Sequence, residues 1–186
     1  MTFLEALRKA RVDETIIEEI MNVEYPHDAA NPKQDNANFM ATAMVKCEEL
    51  LEFDRIAEVM FHRACCKSGY RLENAKGLAK EHGDKPLAEK VELLGQLQYM
   101  GKPRLTGDGD IETVGVGNMD RCPCWNFAGC TPANGPMPLT YCLCCAGHFR
   151  FHYEKALGVK LKAKPVVSSI LNSGCKEPCV FVYEIM

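Results

Sequence analysis

The chain is 186 residues long, 47% hydrophobic, with 22 basic and 25 acidic side chains giving a formal charge of −3. That is enough apolar material for one domain with its own core. With no sustained basic run, it lacks the electrostatic footprint that phosphate binding needs, so nucleic acid is excluded as an expected partner.

The N-terminal residues carry charges every few positions, with no apolar run suited to an export signal or to a span of about 20 residues, so the expected setting is cytoplasmic and off the membrane. Helices are predicted over residues 3–10 and 15–21, the second capped by Asp13, with Pro26 ending the unit. Residues 37–65 place apolar side chains at helical intervals and predict a core helix bent near 52–54. Ser68 and Asp84 sit where N-caps belong, ahead of helices over 70–81 and 86–99.

Beyond Gly101 the pattern changes. Gly107-Asp108-Gly109 is turn chemistry between two short strands, 104–106 and 111–116. A loop rich in Gly, Pro, Asn and Cys then covers 117–138, a length that is uncommon without a function or a metal to order it. Residues 141–157 predict a helix stopped by Gly158 in a left-handed conformation, and runs 166–171 and 179–185 predict a terminal hairpin packed on it. The expected fold is α+β in a single domain over 1–186. A mainly helical half covers 1–100, and a cysteine-rich α/β half over 101–186 packs its C-terminal helix on a small antiparallel sheet.

Eleven cysteines, an odd count with no export signal, read as reduced thiols in a monomer or a small homo-oligomer such as a homodimer. Six of them fall between Cys122 and Cys145. Zinc takes four soft ligands in a tetrahedron, and two close pairs, Cys122 with Cys124 and Cys142 with Cys145, offer that at low entropic cost. Buried inert thiols are the alternative reading of the same residues. A helix beginning near Cys142 favours thiolate at its first turn, and His148 shares a face with Cys144 and Cys145 as a ligand or proton acceptor. His152 reads as structural, and vicinal Cys65-Cys66 at a helix junction as packing, with a redox or ligand-contacting role as the alternative.

From Cys142 onward the order Cys142, Gly147-His148, Leu157-Gly158, Gly174, Cys179 and Phe181 resembles the vinyl-reductase-type (4-vinyl reductase-like) small-molecule-binding domain. That domain occurs in phenol-sensing bacterial activators and archaeal regulators, and is related in fold to a vesicle-tethering subunit and haem nitric-oxide-binding domains. The resemblance covers the last part of the chain. It implies zinc ligation by Cys142 and Cys179. The family's remaining Glu and Cys ligands are absent from 165–171, so Cys145, Cys124 or Cys122 would replace them. It also implies an enclosed small apolar or aromatic ligand, with Trp125, His148, Phe149 and Tyr153 as candidates to contact it.

The expected function is therefore a cytoplasmic ligand-binding or sensing module supported by zinc. The alternative is an enzyme for hydrolysis or thiol transfer with Cys144 or Cys145 as nucleophile and His148 as base. An iron–sulfur carrier is a third class, without recognised ferredoxin spacing.

Overall fold

Local capping fixes where the first helices begin in the computed structural model, which describes residues 1–116, 131–171, 173–174 and 176–186. In α1 (Phe3–Lys9) the Thr2 hydroxyl accepts from the Glu5 amide while the Glu5 carboxylate accepts from the Thr2 amide. This reciprocal box satisfies two amides that no helical carbonyl reaches. Asp13 caps α2 (Glu14–Met21), as its position predicts. Asn31 caps α3 (Pro32–Leu50), whose proline at the first turn needs no amide partner.

The bend predicted near 52–54 is a break at Leu51, where φ −125° and ψ 142° are extended and separate α3 from α4 (Phe53–Arg63). Two predicted caps are corrected. The residue before α5 (Tyr70–His82) is Gly69 rather than Ser68, and its φ of +70° is a conformation that a β-carbon disfavours. Pro86 rather than Asp84 precedes α6 (Leu87–Gln96), its ring holding φ near −53°.

The sheet has strand order β1-β2-β4-β3, each neighbouring pair antiparallel. β1 (Lys102–Leu105) and β2 (Ile111–Val116) form the predicted hairpin, turning through Gly109 at φ +84°. The predicted terminal hairpin is corrected. The regular partner of β4 (Cys179–Ile185) on its outer side is β3 (Leu161–Ala163), while 166–171 contributes one isolated bridge, Ser168 to Val180. Pro165, which brings no amide donor to a ladder, stands between the two segments.

A 3-10 helix (Leu139–Cys142) runs directly into α7 (Leu143–Leu157), so the first turn predicted as α-helix is the tighter form. One side of α7 meets the sheet, with Phe149 against Phe181 and Tyr153 against Tyr183 at ring separations of 6.0 Å each. Tyr183 donates to the Ala146 carbonyl at 2.8 Å, and the Tyr153 and Thr113 hydroxyls share a hydrogen bond of 2.8 Å. The other side meets α4 and α5. Gly147 makes that approach possible, because a β-carbon there would lie 2.7 Å from the Phe61 Cα. Among the described residues no helix is long and apolar enough to cross a membrane.

Candidate functional site

The close crossing at Gly147 brings the end of α4 over the start of α7. Cys65 and Cys66 follow α4 directly, and Cys144 is the second residue of α7. Cys144 lies beside Cys65 and, with burial as the second cause, pushes the Cys65 thiol well above the ordinary thiol range. Cys66 takes φ +60°, a left-handed conformation that costs a side-chain-bearing residue free energy and persists where surrounding contacts hold it. Burial and then Cys65 push the Cys66 thiol up as well, against the lowering influence of Arg71. Cys65 and Cys66 are exposed, whereas Cys144 is 7% exposed.

Two histidines one helical turn apart on α7 lie next to this pair. His152 Nε2 donates to the Cys66 carbonyl at 2.8 Å, and the Cys65 backbone acts to raise the His148 pKa. The His152 ring is fully buried, and among the described residues its Nδ1 has no hydrogen-bond partner. Burial, then the Arg71 guanidinium, then His152 depress the His148 pKa to about 3. Burial likewise lowers His152. An imidazole so reluctant to take a proton is a poor base near neutral pH, and the partner the geometry gives the His148 ring is the Arg71 guanidinium.

Two cations border the thiols. Arg71, in the first turn of α5, brings Nη1 within 2.7 Å of His148 Nε2 and 3.1 Å of Nδ1. Its guanidinium lies 5.3 Å from the centre of the exposed Tyr99 ring. Lys67 donates to the Phe61 carbonyl, with its ammonium 4.1 Å from the Phe61 ring centre. Burial lowers the Lys67 pKa, while the neighbouring Cys144 acts to raise it. A positive charge beside a sulfur favours the thiolate, and Arg71 acts that way on Cys66, although burial and Cys65 outweigh it and its thiol stays raised.

The sequence singles out a different set. Cys122, Cys124 and Trp125 lie outside the described residues. Cys142 is buried at the 3-10 turn with its sulfur 3.0 Å from the Ser169 hydroxyl, Cys145 is near Tyr183, and Cys179 is buried at the start of β4. Among the described residues no three or more His, Cys, Asp or Glu side chains form a group able to hold a metal ion. Phe149 and Tyr153 are taken up by the helix–sheet interface, and three surface grooves, near Glu18 and Lys46, near Leu50 and Arg55, and near Arg150 and Lys162, lie away from them.

The sequence alone favours packing for Cys65-Cys66, followed by Lys67, with a redox or ligand-contacting role as the alternative, and it does not single out Arg71. The signal for them was a vicinal thiol pair followed by Lys, Ser and Gly at a helix junction, together with histidines at i and i+4 behind the second cysteine cluster. No protein-family model matches the chain, and neither curated proteins nor solved structures yield a match.

Proposed function

We propose that this chain is a cytoplasmic thiol-transfer protein in which Cys65 and Cys144 exchange between dithiol and disulfide. The observation that carries the reading is that Cys65 and Cys144 are neighbours, one exposed and one buried, at a junction where Cys66 takes a left-handed conformation and its carbonyl accepts from His152. An exposed thiol meets the partner disulfide, and the buried one completes the exchange without competing for solvent reagents.

The test is mass-spectrometric mapping of linkages after the reduced protein is treated with a small disulfide. A Cys65–Cys144 linkage is expected, and Cys65→Ser or Cys144→Ser abolishes it. Cys47→Ser leaves it intact, since Cys47 is 1% exposed in α3 and burial raises its pKa to about 12. Linkage confined to other cysteines rejects the proposal.

The zinc-supported binding module is the second reading, favoured by the burial of Cys142 against Ser169, next to the Ser168 bridge to β4. Near-stoichiometric zinc in protein purified without affinity metal, lost in Cys142→Ser while Cys65 and Cys144 stay unlinked, selects that reading instead.

A further inference from the structure

The charges around the exposed thiols bear on which disulfide would reach them. The arginines that form ion pairs among the described residues are Arg8, Arg104 and Arg150. Arg71 is not one of them, and the nearest acid on its helix, Glu73, is paired with Lys76. Both contacts of Arg71 with His148 are made by the single nitrogen Nη1, which can donate to one ring nitrogen only, since the other carries the proton of a ring that stays neutral. The guanidinium charge is thus held in place by an imidazole and the Tyr99 ring, beside Cys66, without being neutralised. A planar guanidinium with uncommitted N–H groups matches a carboxylate in two-point contact.

We propose that Arg71 binds a carboxylate on the substrate, so that the exchanging partner is a small anionic disulfide of a carboxylate-bearing thiol. This rests on the thiol-transfer reading. With the carboxylate on Arg71, one substrate sulfur is presented to Cys65. The Cys65 sulfur gives up its proton and attacks that sulfur, the substrate S–S bond breaks, and R–SH leaves carrying the proton. Cys144 then attacks Cys65 Sγ, and the second R–SH leaves with the Cys144 proton. The substrate is reduced by two electrons to two thiols, and the Cys65 and Cys144 dithiol is oxidised to one disulfide. Lys67 adds a second positive charge on the same side, which steers anions towards the thiols and away from the acidic remainder of the chain.

The test compares three symmetric disulfides of similar length on the full reduced chain: dithiodipropionate (anionic), bis(hydroxyethyl) disulfide (neutral) and cystamine (cationic). Formation of the Cys65–Cys144 linkage is timed by quenched mass spectrometry, and each rate is divided by that of the same reagent with a free model thiol. The anion is expected to lead the neutral reagent by roughly tenfold at low ionic strength, with the cation slowest and the lead shrinking as salt is added. Arg71→Gln brings the anion-to-neutral ratio towards one, and Arg71→Lys keeps part of it. Equal normalised rates for the three reagents on the unmodified protein overturn the role of Arg71 while leaving the exchange standing. Failure of every reagent to link Cys65 with Cys144 overturns both.

Discussion

The two sides of α7 solve the same packing problem with opposite chemistry. Towards the sheet, Phe149, Tyr153 and their partners bury large rings, and each buried hydroxyl finds a bond, Tyr153 with Thr113 and Tyr183 with the Ala146 carbonyl. Towards α4 and α5 the helix offers a glycine, a thiol and two imidazoles, one bonded to Arg71 and the other to the carbonyl of Cys66 at its left-handed turn. A side built only for stability satisfies its polar groups with fixed neighbours. The other side leaves an imidazole nitrogen without a partner among the described residues and a guanidinium outside any ion pair, a loss of stability of the kind that clusters at functional sites.

Acid should separate the two sides with the largest effect. Unfolded, His148 takes a proton below about pH 6.5. Folded, it resists until about pH 3, because it is buried with Arg71 and His152 against it, the Cys65 backbone opposing them only in part. Between those values the unfolded chain binds more protons, so this contribution is present in full above pH 6.5 and is lost as pH falls towards 3. The slope is about 1.4 kcal/mol per pH unit from this one group. His152, also lowered, acts in the same direction. On the sheet side, burial raises Tyr153 and Tyr183, which puts their titration in the alkaline range. Denaturant midpoints measured from pH 7 to pH 4 should therefore fall less steeply for His148→Gln than for the unmodified chain. Parallel curves would assign acid sensitivity to the surface carboxylates instead.

Gly147→Ala tests the helix side by geometry rather than by charge, and the cost should be about 3 kcal/mol. The new methyl would meet the Phe61 Cα at 2.7 Å, and a backbone atom gives way only if α4 moves as a whole. Because Cys65 rides on the end of α4, the same shift should draw its thiol away from Cys144 and slow the linking of the pair. Loss of stability with an unchanged linking rate would mean that the crossing serves packing alone.

What the sequence made legible follows the range of the forces involved. The helix over α7, its stop at Gly158, the cap at Asp13 and the β1-β2 hairpin all depend on residues a few positions apart, and all were readable. The same local logic named 166–171 as a strand, because Val166, Val167, Ile170 and Leu171 suit one. Instead, Ser169 is buried there, bonded to Cys142 and to the Leu171 amide, an outcome set by distant residues. The thiol centre was hidden for that reason too. Spacing along α7 puts Cys144 and His148 on one face, yet no periodicity reveals that the turn after α4 covers that face. Only Gly147 marked a close approach, and a lone glycine does not name its neighbour.

Gly158→Ala should have the smallest effect, and it sharpens the comparison by touching neither side. Gly158 ends α7 at φ +73° with its amide donating to the Glu154 carbonyl at 3.2 Å, while Lys90 of α6 reaches the Leu157 carbonyl at 2.8 Å. A β-carbon at this position meets no atom within 4 Å, so crowding adds nothing and the cost is the strain of a positive φ, about 1 kcal/mol. The cap holds the far end of the helix from the thiols and serves both faces alike. The denaturant midpoint should therefore drop by an amount matching that cost, with the slope of the transition and the rate of Cys65–Cys144 linking both preserved. A slower linking rate at the same stability loss would show that tension along α7 reaches its first turn, and the two sides of the helix would then be one mechanical unit rather than two.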